Sequence, residues 1–522
     1  MRQPQRQSRA ARQKTQVVKT YPAPVGGWNA RDALASMAPH DAVVLNNWFP
    51  RPSYLEFRGG YASHATGTTG NGKTLTVYNK LTGSNQMFAF TSSGIYNVSS
   101  AGAVGASVLA RTNGKHQWVM FGDGTNNWGI GVNGVDKPAY YDGTTWTAVT
   151  NATSPALTGY TGNAVEEFIA VNVFKGRLFF IPINSLSFWY LAAGAAGGAL
   201  TQFNLAGEAK RGGYLLAMAT WTRDGGDGMD DLAVFLTSEG EAIIYQGTNP
   251  SSATTWAKVG SYVIGRPLGR RCVMQYGGDC VVITEDGVFP LSALIQNYEE
   301  RAKFALSYKI ENAVTDAARS YGSTFGWKAI TFPAYDAMLV NIPLAEDGEH
   351  QQYVMNTITK SWCKFTEWDA EDFAVFNGEL YFCTGTTVYK AWTGTIDGVN
   401  NIDYYGKQAF QDFRDADIKH VELFMPMLTV SGNVAYSADV DVDFGDDPIA
   451  GEATYTVTGG ASWDVSNWDE AYWAASLEIV RQWSAPSEWM GRWLSTKLKI
   501  TSNAITAQWN ASTLVYTKGD GL

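Results

Sequence analysis

Two acidic clusters are the residues of this sequence best suited to chemistry. Between Thr222 and Asp231 the chain crowds Asp224, Asp227, Asp230 and Asp231 with three glycines. Clustered carboxylate oxygens on a Gly-rich turn suit calcium. Asp and Gly are also the ordinary residues of a tight turn between strands, so the turn is the stronger reading and the four aspartates are weak metal candidates. The second cluster alternates: Asp439, Asp441 and Asp443 point to one face of a strand, with Asp446 and Asp447 following. It begins like an EF-hand loop, but Phe444 stands where that loop needs Gly and Ala450 where it needs Glu. The expectation is an acidic patch facing water, a channel or a basic partner.

Catalytic constellations do not appear. There is no G-x-S-x-G, no Walker A, and no G-x-G-x-x-G opening a helix. The five histidines (His40, His64, His116, His350, His420) are scattered, and Cys272, Cys280, Cys363 and Cys383 form no C-x-x-C pair. Four cysteines in 522 residues are not a disulfide framework, which fits folding in a reducing cytoplasm. A resident metal or cofactor is not expected, nor is an enzyme. Paired carboxylates for glycoside hydrolysis are the one catalytic option left open, since 49 acids offer many pairs and nothing singles one out.

The elements that must position these residues are strands. Charged residues are 17%, aromatics 13%, and Gly is 54 of 522. That excludes disorder for most of the chain, and no window approaches 18 uncharged apolar residues, as a membrane helix requires. Phe174–Phe180 (FKGRLFF) and Phe376–Phe382 (FNGELYF) nearly match, each reading strand, Gly turn, strand. A second pattern recurs as TSSGIY (91–96), TSEGEAIIY (237–245), TEDGVF (284–289) and TGTTVY (384–389). Tyr96, Tyr141, Tyr190, Tyr245 and Phe289 mark steps of 45, 49, 55 and 44 residues. A period of about 40–55 residues built from short strands is that of a β-propeller blade. The count over 71–406 gives six blades with room for a seventh; the alternative is a sandwich whose turns coincide.

Residues 291–318 lack Pro and Gly and space apolar residues by three and four, which predicts a helical insertion with Leu294, Tyr298, Ala302, Leu306 and Ile310 on one face. After about residue 406 the repeat stops, and alternation over 421–443 and 494–505 predicts a separate β domain over 407–522. Within it Trp463, Trp468, Trp473, Trp483, Trp489 and Trp493 are expected to fill a small core or a subunit interface. A sugar-stacking platform is the sharper alternative.

Charge is asymmetric. No acid precedes Asp32, while Arg2, Arg6, Arg9, Arg12, Lys14, Lys19 and Arg31 do. Without those seven, 32 basic residues face 49 acids, so the body stands at −17 against −10 for the whole chain. Residues 1–23 therefore read as a basic flexible arm, with Arg2, Arg6, Arg9, Arg12, Lys14 and Lys19 available for docking.

Several strings resemble a known family. Pro24–Asp32 (PVGGWNARD), Met37–Pro50 (MAPHDAVVLNNWFP) and Arg58–Tyr61 (RGGY) look like the N-terminal signature of tail nozzle, or packaged-DNA stabilisation, proteins of short-tailed bacteriophages. So do GVDKPAYYDGTTW (134–146), residues 225–247, residues 264–292 and YVMNTITKSWCKF (353–365). The resemblance runs through most of 24–410. It implies an all-β chain: a docking segment over 24–70, a propeller, and a sandwich-like C-terminal platform domain. It also implies six copies forming a ring below the portal and adaptor, conducting phage double-stranded DNA without sequence-specific binding and carrying fibres or spikes. The location would be the virion tail, assembled in the host cytoplasm. An acidic wall would let a duplex slide where a basic one would hold it. Two rivals remain open: a carbohydrate-binding receptor protein and a propeller glycosidase or lyase.

Overall fold

The computed structural model describes residues 16–162, 164–224, 229–295, 301–449, 453–455, 478–486, 490–502 and 504–519. The chain divides into two units, one formed by residues 58–400 and the other by 1–57 with 401–522.

Residues 58–400 form a β-propeller. The innermost strands of its blades are Gly72–Tyr78, Gln117–Gly122, Phe168–Phe174, Leu215–Asp224, Val273–Tyr276, Lys328–Phe332 and Asp372–Phe376. Each pairs antiparallel with the next strand of its own sheet. The ring has seven blades, one more than the six favoured from sequence. The seventh unit, for which the repeat left room, lies at 328–365. Its second and third strands, Ala337–Pro343 and His350–Asn356, are joined through residues 344–349 rather than by the short Thr-to-Gly turn used as a marker.

That marker has a physical basis. In four blades it is the turn between the second and third strands, and in three of them the Thr side chain ties the turn. Thr91 Oγ1 accepts from the Gly94 N–H at 3.1 Å, Thr237 Oγ1 accepts from the Glu241 N–H at 3.0 Å, and Thr284 Oγ1 donates to the Gly287 carbonyl at 3.1 Å. All three threonines are fully buried. The FKGRLFF and FNGELYF strings are hairpins between first and second strands. Lys175 and Gly176, and likewise Asn377 and Gly378, have positive φ, as a type I′ turn demands.

Closure comes from the other end of the propeller sequence. Tyr61–Thr66 pairs antiparallel with Thr387–Ala391, completing the blade that Asp372–Phe376 begins. Beside this seam the Arg58 guanidinium is buried against Asp397 at 2.9 and 2.5 Å and lies over the Trp368 ring at 5.0 Å. No blade can bury both of its faces alone, so apolar clusters fill the spaces between blades. One joins Leu75, Met87 and Tyr96 to Ala374, Phe376 and Tyr381 across the seam.

The predicted helix over 291–318 is broken. Leu291–Leu294 is a single turn, Arg301–Phe304 and Tyr308–Ile310 are 3-10 turns, and Glu311–Tyr321 is the helix proper. Tyr298 lies outside the described residues, as does the Ala302 side chain. Tertiary bonds take the backbone a continuous helix would need: the Leu306 N–H donates to the Val288 carbonyl, the Trp362 indole N–H to the Leu306 carbonyl, and the Val288 N–H to Ser307 Oγ.

The other unit is a two-sheet sandwich. One sheet runs Trp48–Pro50, Leu55–Phe57, Ala507–Lys518, Lys419–Val430, Glu478–Arg481. The other contains Asp41–Asn46, Ile402–Gln408, Leu494–Ser502, Val434–Val442 and Ala453–Tyr455 in that order. Trp48 of the first sheet meets Tyr404 of the second at 6.0 Å, and Trp509 lies 5.8 Å from Trp48.

Three sequence boundaries shift accordingly. Gln16–Pro22, drawn as flexible arm, is a strand paired along Ala507–Lys518. The 24–70 segment is divided: its residues up to Phe57 belong to the sandwich unit, and Tyr61–Thr66 closes the propeller. The propeller runs over 58–400 rather than 71–406.

Candidate functional site

The seven innermost strands enclose one central cavity of about 510 Å³. Its wall is mostly small and apolar, including Val77, Val119, Ala170, Ala217, Ile330 and Val375. Charge gathers where the inner strands begin. Lys73, Lys115, Arg271, Lys328, Glu371 and Asp372 each stand within two residues of the start of an inner strand.

These groups form a network. Asp372 is buried and saturated: Lys328 Nζ lies at 2.7 Å and Arg271 Nη1 at 3.2 Å, and the Leu75 and Phe373 N–H groups donate at 2.9 and 2.8 Å. Arg271 also donates through Nη2 to Thr74 Oγ1 at 2.5 Å and to the carbonyls of Lys73 and His116 at 3.2 and 3.1 Å. Lys73 Nζ pairs with Asp347 at 2.8 Å and Glu371 at 3.0 Å, and Lys115 with Glu346 at 2.5 Å. Burial works against the Lys73 ammonium, but hydrogen bonds and charge from Asp347 and Glu371 outweigh it and raise its pKa. Burial, with the charges of Arg111 and Arg271, pulls the His116 imidazole down to about 3 and keeps it neutral.

The residues singled out from sequence lie elsewhere. Thr222, Arg223 and Asp224 pair with Asp231, Asp230 and Met229, so the described acidic residues stand at the facing ends of two paired strands. Asp227 lies outside the described residues, as do the side chains of Asp224 and Asp230. The Asp231 carboxylate is occupied by Lys175 at 2.7 Å and Thr222 at 2.9 Å, and the Lys175 hydrogen bond holds its pKa low. Among the described residues no group of three or more His, Cys, Asp or Glu side chains is placed to hold a metal.

Of the alternating aspartates of the sandwich, Asp439 and Asp441 share a face that is not open, and Asp443 follows the strand and is exposed. Asp439 and Asp441 are 1% and 0% exposed. Their basic partner is internal, because the neighbouring strands set Lys497 opposite both Asp439 and Lys407. Asp441 is held between Lys407 Nζ at 2.6 Å and Lys497 Nζ. Lys407 also reaches Asp446 at 2.9 Å and lowers its pKa, Lys497 donates to the Asp447 carbonyl, and Asp443 accepts the N–H groups of Arg492 and Trp493. The acidic series is therefore divided: Asp439 and Asp441 are buried, because a strand buried on both faces cannot keep carboxylates in its core without cations beside them, while Asp443, Asp446 and Asp447 are exposed.

Of the tryptophans, Trp463, Trp468, Trp473 and Trp489 lie outside the described residues. Trp483 is 42% exposed, and Trp493 is half-buried against Phe444 at 5.4 Å. Trp48 and Trp509, outside the cluster, are the tryptophans buried in the sandwich core. Of the arm residues only Lys19 is described, exposed on its strand; Arg2, Arg6, Arg9, Arg12 and Lys14 lie outside.

Sequence reasoning did not find the central charge network. Its signal was present in Arg270-Arg271 and Glu371-Asp372, adjacent like charges leading into apolar strands.

No protein-family model matches the sequence, and no curated protein matches it. Several solved structures are loosely similar. Raptor from Chaetomium thermophilum shares 11% identity over 65% of this chain with a TM-score of 0.40, and the chain spans 29% of Raptor's length. An exo-beta-1,3-galactanase from Phanerochaete chrysosporium shares 8% identity over 78% of this chain and 97% of its own, with a TM-score of 0.27. A quinonprotein alcohol dehydrogenase-like protein from Bacteroides thetaiotaomicron shares 12% identity over 63% of this chain and 71% of its own, with a TM-score of 0.32.

Proposed function

We propose that this chain is a non-enzymatic structural subunit of a short-tailed bacteriophage tail nozzle, six copies of which form a ring below the portal and adaptor. The observation that carries the reading is the combination, in one chain, of a propeller over 58–400 with a sandwich built from the two flanks. Those are the two parts that the resemblance of Pro24–Asp32, Met37–Pro50 and residues 264–292 leads one to expect. The DNA path would be the hole of the ring, not the propeller's own cavity, whose volume is that of a small-molecule site. An acidic body suits a conduit that must not grip phosphates. The basic arm over residues 1–15 would dock on the adaptor or a neighbouring copy, and the outer surfaces would carry fibres or spikes.

The test is negative-stain imaging of the chain assembled with its portal and adaptor partners. A sixfold ring with a central hole is the expected result. A chain that stays monomeric in their presence overturns the reading, and saturable binding of a host polysaccharide by that monomer would turn it toward a receptor protein.

A further inference from the structure

Five cations gather where the inner strands begin: Lys73, Lys115, Arg270, Arg271 and Lys328. Four of them have a carboxylate. Lys73 has Asp347 and Glu371, Lys115 has Glu346, and Arg271 and Lys328 share Asp372. Arg270 lines the central cavity, and among the described residues no carboxylate lies within ion-pair distance of it. Its guanidinium makes one hydrogen bond, from Nη1 to the Asn133 carbonyl at 3.3 Å. Burial, with Arg271's charge behind it, lowers its pKa even with Tyr214 acting the other way. A planar fork with five donors and one long neutral bond is a strong receptor for an oxyanion.

The wall offers further donors. Each inner strand is laddered on one side only, so alternate residues turn their backbone N–H and C=O groups inward, and the N–H groups are available to an anion. Asp372 illustrates what such a wall does with a carboxylate: it accepts two backbone N–H groups and two cationic side chains at once. Two lining residues, Thr76 and Trp118, carry a buried hydroxyl and a buried indole N–H with no acceptor among the described residues. The side-chain acceptors beside them are occupied, because both Asp372 oxygens are taken and the Asn172 amide is spent on the Val173 N–H and the Met218 carbonyl.

We propose that the central cavity of the propeller is a binding site for one small oxyanion, a phosphate or a compact carboxylate, with the Arg270 guanidinium as its principal ligand. At about 510 Å³ the cavity accommodates such a molecule with its remaining waters. The site does not depend on the nozzle reading, since binding belongs to a single chain and is measured without tail partners.

The experiment titrates the full-length chain at low ionic strength with inorganic phosphate and, separately, with malonate, by calorimetry. The expected result is saturable binding of one anion per chain, weakened roughly ten- to a hundredfold in Arg270→Gln, since a charge-assisted hydrogen bond is lost. Arg270→Lys keeps the charge without the fork and should fall between. Whichever anion binds more tightly identifies the source. Because Arg270 holds no carboxylate, the thermal midpoint of anion-free Arg270→Gln should match the parent chain, which separates loss of the site from loss of the fold. Absence of saturable binding by both anions overturns the proposal, as does binding that Arg270→Gln leaves unchanged.

Discussion

At the scale of single residues the charged interior of the propeller makes the molecule sensitive to acid. His116 is 2% exposed, and burial with Arg111 and Arg271 brings its pKa to about 3 in the folded chain. The unfolded imidazole takes a proton below about 6.5. The folded state therefore binds fewer protons between those values, and the stability is complete above pH 6.5 and lost as pH falls. Between pH 7 and 5 the loss is about 2 kcal/mol. Urea unfolding of the parent and His116→Gln at pH 7 and pH 5 checks this: the variant should lose less stability on acidification by about that amount. Little of this was legible beforehand. His116 was one of five scattered histidines, and its burial depends on Phe90 of the preceding blade, at 4.4 Å, and on Arg271, far away in sequence. The aspartates of Val434–Val442 were half legible: the period of two put them on one face, while the lysines that neutralise them sit on other strands.

At the scale of elements, the turns were the most readable part of the chain, because their chemistry is local. A buried Thr bonded across its turn with Gly nearby, and a pair of positive-φ residues in FKGRLFF and FNGELYF, leave their mark within six or seven letters. The Thr hydroxyl also has a measurable weight. Thr237→Val keeps the shape but leaves the Glu241 N–H, which now donates to Thr237 Oγ1 at 3.0 Å, without its acceptor. The expected cost is about 1–3 kcal/mol in chemical denaturation. A change below a few tenths would mean that the recurrence of Thr is not energetic. The blade at 328–365 could be given only as room for a seventh because residues 344–349 replace that turn, and the helix over 311–321 was overdrawn because apolar spacing says nothing of backbone bonds committed to Val288.

At the scale of the whole molecule, the sequence announced a propeller and a second β domain but misplaced the line between them. Composition does not change where the chain passes from one unit to the other, and the strand that closes the ring is separated from its partner by the whole propeller. The clamp beside that closure is open to test. Arg58 is 1% and Asp397 2% exposed. Asp397→Asn takes away the carboxylate that faces a buried guanidinium, and the expected destabilisation of the propeller is about 3–5 kcal/mol, read from its denaturation midpoint. An unchanged midpoint would show that the Gly59 and Thr366 carbonyls, also bonded to Arg58, suffice to hold it.

The same seam has a mechanical meaning. Tyr61 lies opposite Ala391 and Thr66 opposite Thr387, so the residues leading into and out of the ring leave from the same end of the pairing. Tension applied across residues 57 and 401 would reach that end first and peel the ladder one bond at a time, the geometry that yields at the lowest force. The Arg58–Asp397 clamp and the bonds of Gly60 and Tyr61 with Thr393, Gly394, Ile396 and Gly398 stand ahead of it. Heat must loosen a cooperative ring of seven blades, whereas a directed pull needs to open a single zip.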